Sequence, residues 1–102
     1  MKDVTVDEFK SFVESDKPTF VLFSADWCAP CKQLTPILDR LSKEKGFDVV
    51  KVKVSKDTLE LVTAHKVSSI PHLVSFKDGQ EKASMIGFAG EASVTEFINK
   101  NL

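Results

Sequence analysis

Apolar positions along this chain follow two rhythms, one recurring every three to four residues and the other packed into short runs. Thr5-Val6-Asp7-Glu8 has the spacing of a capping box. Phe9, Phe12 and Val13 follow at helical intervals, which predicts a short amphipathic helix to about Ser15, ended by Pro18. Thr19-Phe20-Val21-Leu22-Phe23 is β-branched and aromatic with no polar alternation, so it reads as a strand covered on both faces. Leu34, Ile37, Leu38 and Leu41 fall at i, i+3, i+4 and i+7 and predict the best-defined helix, stopped by Gly46. Pro36 inside it lacks an amide hydrogen and is expected to kink the preceding turn. Val49 to Val54 alternates with Lys51 and Lys53, the pattern of a strand with one more polar face.

A short helix around Thr58 to His65 is expected to turn Leu59 and Val62 inward. His72 to Phe76 and Gln80 to Ile86 flank Lys77-Asp78-Gly79, and the Asp-Gly pair signals an antiparallel hairpin. Ser93 and Glu96 have the spacing of a second capping box, before a helix that would bury Val94, Phe97 and Ile98. No strand is predicted ahead of the first helix. Alternating helices and strands followed by a hairpin imply an α/β fold, a central mixed β-sheet with helices on both faces. The chain shows no internal repeat, low-complexity tract or linker, so residues 1–102 are expected to form a single domain.

Composition narrows the function. Fourteen basic and fifteen acidic residues leave a net charge of −1, without the positive footprint that holds phosphates or anionic membranes, so neither nucleic acid nor membrane is an expected partner. The longest apolar run, Phe20 to Phe23, is far short of a membrane span. The first eight residues carry acidic side chains almost from the start and lack the apolar core of a secretory signal, so a cytoplasmic location is expected. In a reducing compartment, two cysteines are a reactive or metal-binding pair more often than a structural cross-link.

Those two cysteines stand in Trp27-Cys28-Ala29-Pro30-Cys31, between the central strand and the best-defined helix. Residues three apart in a first helical turn lie about 5 to 6 Å from each other, the separation a disulfide needs. Cys28 is expected at the helix N-terminus, where unpaired amides and the positive end of the helix dipole favour a thiolate. Cys31, one turn inside, is expected to be more buried and more protonated, suited to resolving a mixed disulfide. Pro30 needs no hydrogen-bond partner at a helix start and preorganises the turn.

With this motif, Ile70-Pro71 and the element order along nearly its whole length, the chain resembles the thioredoxins. A lowered thiol pKa in Cys-x-x-Cys is a known property of that family. The resemblance implies a protein-disulfide reductase cycling between two thiols and one disulfide, with Cys28 and Cys31 as catalytic residues. It implies a cis Ile70-Pro71 bond facing the cysteines. It further implies a substrate groove of Trp27, Ala29, Pro30, Ile70, Pro71, Gly87 and Phe88, in which backbone groups at Ile70 bind an extended segment as an added strand. Trp27, Pro30, Ile70, Pro71 and Phe88 would form its exposed apolar patch. No bound cofactor is implied. Electrons would come from a thioredoxin reductase drawing on NADPH or ferredoxin, the partners would be disulfide-containing proteins, and the chain would act as a monomer.

Several positions depart from the family pattern. Leu22 stands where thioredoxins carry a buried aspartate that serves the resolving cysteine, and Asp26, in the loop beside Trp27, is not placed to replace it. Ser24 stands where many relatives have tryptophan. Lys51, without that acidic neighbour, is expected to turn to solvent. His72, after the proline, is expected to point away from the site because strand alternation sets it opposite Pro71. His65 is expected to be a surface or partly buried packing residue. The alternatives are an adaptor whose thiols are incidental and, less favoured, a zinc site, for which only His65 and His72 remain as further ligands. Gly87-Phe88-Ala89-Gly90 has no basic neighbours and does not indicate nucleotide binding.

Overall fold

The computed structural model describes residues 1–102 and contains ten elements. In chain order they are β1 (Lys2–Asp3), α1 (Val6–Val13), β2 (Thr19–Ser24), α2 (Ala29–Lys45), β3 (Asp48–Lys53), a 3-10 turn (Lys56–Thr58), α3 (Leu59–Ala64), β4 (His72–Lys77), β5 (Gln80–Ile86) and α4 (Glu91–Lys100). The five strands form one sheet in the order β1-β3-β2-β4-β5. β1, β3 and β2 run parallel, while β4 is antiparallel to both β2 and β5. The expected mixed α/β sheet is therefore present.

All six residues of β2 are buried, as a strand covered on both faces requires. On one side Val21 and Phe23 join Val50, Val52, Val74 and Phe76 under Phe9 and Val13 of α1 and Leu61 of α3. On the other, Phe20, Leu22 and Leu73 pack with Leu34, Leu38 and Leu41 of α2 and Val94 and Ile98 of α4. Full burial of one such side chain stabilises by about 1.5 to 3 kcal/mol, so these layers outweigh any single cap or ion pair. No helix is long and apolar enough to cross a membrane.

Local signals formed where the chain could satisfy them nearby. Glu8 N–H donates to Thr5 Oγ1 at 3.2 Å and Thr5 N–H to Glu8 Oε1 at 3.0 Å, closing the first capping box. A hydrogen bond from Lys2, with that from the Thr5 amide, pushes the Glu8 carboxyl down to about 2. Asp78 and Gly79 both take positive φ, as a tight hairpin turn demands. The hairpin tip is tied to the end of α1 by Asp78 N–H to Ser15 O at 2.9 Å and Gly79 N–H to Val13 O at 2.8 Å. Gly46, with φ of 72°, ends α2, which runs unbroken through Pro36.

Other expectations are corrected. A short strand, β1, precedes the first helix, because Lys2 and Asp3 find partners in Val50 and Lys51. Helix α4 begins at Glu91 with Gly90 as its N-cap, so the Ser93 and Glu96 box does not form. Gly90 takes a φ of 107°, and its carbonyl accepts from Val94 N–H, so the helix starts a turn early. Phe97 is only partly buried, at the margin of the α2/α4 layer. In α3 it is Leu61 that enters the core, whereas Leu59 is 59% exposed. Lys51 does not turn freely to solvent: its side chain is mostly buried and lies 3.7 Å from Asp3 on β1.

Both histidines sit on the α1/α3 side. His65 packs edge-on against Phe9 and Phe76, and its Nδ1 lies 3.3 Å from Glu81. His72 pairs across from Phe23 in the ladder, and its buried Nδ1 has no hydrogen-bond partner. Burial lowers the His72 pKa below 6.5; His65 adds to the effect and Glu81 opposes it. The unfolded chain therefore takes up this proton more readily than the folded one. The corresponding stability is present above about pH 6.5 and is lost as pH falls below it. The urea midpoint of the native protein is expected to drop between about pH 7.5 and about pH 5, and that of His72→Leu to drop less. Equal drops would contradict this assignment.

Candidate active site

Helix α2 starts at the sheet's carboxyl end, and its N-cap is Cys28. The loop from β2 is pinned first: Val54 N–H donates to Ser24 O at 2.8 Å, and Cys28 N–H to Ala25 O at 3.2 Å. Cys28 then takes an extended backbone, φ −92° and ψ 107°, which turns its sulfur back over the helix end. There Cys31 N–H donates to Cys28 Sγ at 3.3 Å, so a sulfur atom occupies the place of a capping oxygen. An amide donor at the positive end of a helix dipole stabilises charge on that sulfur. Pro30 occupies the first turn, where its missing donor costs nothing.

Cys28 and Cys31 are joined by a disulfide with Cα atoms 5.3 Å apart. Cys28 is 5% exposed and Cys31 1%, so the second thiol is the deeper one. Both form a small cluster with Ala25, against which Ile70 packs. The Ile70-Pro71 bond is cis, and the Pro71 carbonyl accepts a 2.8 Å hydrogen bond from Gly87 N–H. Residues from three distant parts of the chain thus meet beside the disulfide.

The expected apolar patch is only partly formed as such. Trp27 is 79% exposed, Ala29 and Pro30 are exposed, and Ile70 is half-buried. Pro71 is buried, and its carbonyl is held by Gly87. Phe88 is half-buried against the α2/α4 core layer, since the chain turns inward after Gly87, φ 83°. Ile86, absent from the residues expected from sequence, is 58% exposed at the end of β5, one residue before Gly87. Its apolar character was the available signal, but strand alternation alone does not tell which edge residue is left uncovered.

Around the loop the charges form a chain. Lys53 Nζ lies 3.4 Å from Asp26 and 3.5 Å from Asp3, which also faces Lys51. The Asp26 hydrogen bond raises the Lys53 pKa above its ordinary value, with Asp3 adding to it. Asp26 itself is largely exposed and turned to Lys53. Leu22, by contrast, is fully buried among Phe20, Leu34, Leu38 and Leu73, so no carboxylate lies on that side of the cysteines from β2.

The thioredoxin family model matches residues 1–100 of the chain. The chain belongs to the thioredoxin family. It is 42% identical to a thioredoxin of Rickettsia felis over 98% of this chain and 97% of that one. Among solved structures, Chlamydomonas reinhardtii thioredoxin f2 superposes with a TM-score of 0.89 at 29% identity, covering 98% of this chain and 94% of that one. Oxidised thioredoxin from Plasmodium falciparum gives a TM-score of 0.86 at 28% identity, covering 98% and 96%. As a thioredoxin carrying the Cys28–Cys31 disulfide, the chain is a thiol-disulfide oxidoreductase that reduces protein disulfides. Thioredoxins generally work without a bound cofactor, and no group of three or more metal-ligating side chains gathers in this fold.

Replacing the buried Leu22 removes methyl packing and places a polar group in an apolar layer. Leu22→Asp is expected to lower unfolding stability by about 3 kcal/mol, measured in urea, and to speed the reduction of a protein disulfide. Unchanged stability with unchanged reduction rates would refute both parts.

Proposed function

We propose that Cys28 is the attacking thiolate and Cys31 the resolving thiol of this reductase. The observation that carries the reading is the 3.3 Å contact from Cys31 N–H to Cys28 Sγ at the head of α2, with Cys31 the more deeply buried thiol. In the reduced protein the Cys28 thiolate attacks one sulfur of a substrate disulfide. A mixed disulfide forms and the other substrate sulfur leaves as a thiolate. Deprotonated Cys31 then attacks Cys28 Sγ, closing the intramolecular disulfide and expelling the second substrate sulfur. Two electrons pass from the cysteine pair to the substrate, whose two sulfurs end as thiols after protonation.

The substrate segment lies across Trp27, Ala29, Pro30, Ile70, Pro71 and Gly87, with Phe88 shaping the floor. Ile70 has no backbone hydrogen bond within the chain, which leaves its N–H and C=O free to pair with an extended segment. Ile86 adds apolar surface on the β5 side. A thioredoxin reductase, drawing on NADPH or ferredoxin, restores the dithiol. The protein acts as a monomer of one domain, residues 1–102, in the cytoplasm, on disulfide-containing proteins and not on nucleic acid or membranes.

Two variants test the order of attack. Cys31→Ser is expected to accumulate a mixed disulfide with a protein substrate, visible as a reducible mass increase, because the first attack proceeds and the second cannot. Cys28→Ser is expected to form none and to lose reduction entirely. Ultraviolet titration of the reduced protein should show Cys28 ionising below the free-thiol value of about 8.5. Trapping through Cys31 in the Cys28→Ser variant, or a Cys28 thiol as weakly acidic as free cysteine, would overturn the assignment.

A further inference from the structure

Helix α2 lacks one rung just inside its first turn. Pro36 has no amide to offer the Lys32 carbonyl, and a proline ring crowds the carbonyl of the preceding turn. The carbonyl next to it, that of Cys31, takes a side-chain donor: Thr35 Oγ1 donates to it at 2.9 Å. The same peptide unit is held at its other end, where Lys32 N–H donates to the Cys28 carbonyl at 3.2 Å. A single peptide plane is thus gripped from both sides, and it is the plane that follows Cys31.

The plane ahead of Cys31 is fixed separately. Pro30 locks a backbone torsion there, and Cys31 N–H donates to Cys28 Sγ at 3.3 Å. Peptide units are rigid, so holding the planes on both sides of Cys31 sets the direction in which its side chain leaves the backbone. Ala25 and Ile70 add apolar contacts around the cysteines, but such contacts have no direction of their own. In the oxidised protein the Cys28–Cys31 bond itself maintains the geometry. In a mixed disulfide that bond is gone, and direction must come from the hydrogen bonds. Thr95 Oγ1 makes a similar bond to the Glu91 carbonyl in α4 at 3.0 Å, so the bond alone is ordinary helix geometry. What sets Thr35 apart is that its acceptor belongs to the inner cysteine and stands beside a missing rung.

We propose that Thr35 is a positioning residue for the closing step, its hydroxyl holding the peptide after Cys31 so that the Cys31 sulfur stays aimed at Cys28 Sγ while Cys28 is bound to substrate. The proposal rests on Cys31 being the resolving thiol. Thr35 gives up and receives no atom. The Cys31 thiolate attacks Cys28 Sγ, the bond from Cys28 to the substrate sulfur breaks, and that sulfur leaves with the electron pair.

The test follows one turnover of the reduced protein with a disulfide-bonded peptide, quenched with acid and resolved by mass into dithiol, mixed disulfide and closed disulfide. Formation of the mixed disulfide scales with peptide concentration and closing does not, so the two rates separate. Thr35→Val keeps the side chain's shape and removes the donor. It is expected to close about three to ten times more slowly, the worth of one hydrogen bond, with the first attack unchanged. Thr35→Ala is expected to match it, and Thr35→Ser, which keeps a hydroxyl, to close at the native rate. Thr95→Val, which deletes the equivalent bond of α4, should behave as the native protein does. Native closing in Thr35→Val, slow closing in Thr35→Ser, or equal slowing of both steps would overturn the proposal. A mixed disulfide formed by Cys28→Ser would instead overturn the reading beneath it.

Discussion

A sulfur atom takes the place of a capping oxygen at the head of α2, and the chemistry of the molecule depends on that substitution. A helix leaves its first amides unpaired, and here the Cys31 amide is spent on Cys28 Sγ. The contact sets an amide donor on the outer sulfur, and the three-residue spacing in the first helical turn brings the two sulfurs within bonding reach. It exists only because β2 delivers the loop to that point. A strand buried along its whole length has no freedom to slip by a residue without turning Phe20 and Leu22 out of one layer and Val21 and Phe23 out of the other.

The same rigidity explains how distant residues serve the site. Ile70 and Pro71 lead into β4, which lies beside β2, so the ladder from Phe23 to His72 places them next to the Cys28 loop. Gly87 follows β5 and closes onto the Pro71 carbonyl. On the opposite side, Thr58 and Val54 tie the end of β3 to the start of α3 and the end of β2. The site is thus a rim of strand ends around one helix start, and its exposed parts are the apolar residues that no layer covers.

Polar groups are arranged with the same economy. In the middle of β2, Leu22 completes a methyl layer and avoids the cost of an unpaired buried polar group. Charge is moved outward, to Asp26, Lys53, Asp3 and Lys51 along the loop and the first two parallel strands. An exposed pair such as Lys53–Asp26 contributes little to stability.

What the amino-acid order determined by itself was everything local in physical origin. The capping box at Thr5, the Asp78-Gly79 turn, the stop at Gly46 and the Cys-x-x-Cys pair at a helix start each need only neighbours a few residues away. Hydrophobic rhythm likewise announced the sheet and its two helical layers. Tertiary structure decided the rest. Ser93 and Glu96 had the right spacing for a cap, but the turn at Gly90, whose carbonyl accepts from Val94 N–H, began the helix earlier. β1 exists because β3 offers it an edge, and that edge strand brings Asp3 to Lys51. Leu59 and Leu61 are chemically alike, yet which of them meets the core depends on where α1 and the sheet lie. Pairing across long separations and competition for one buried face are properties of the assembled layers, and no short window of sequence carries them.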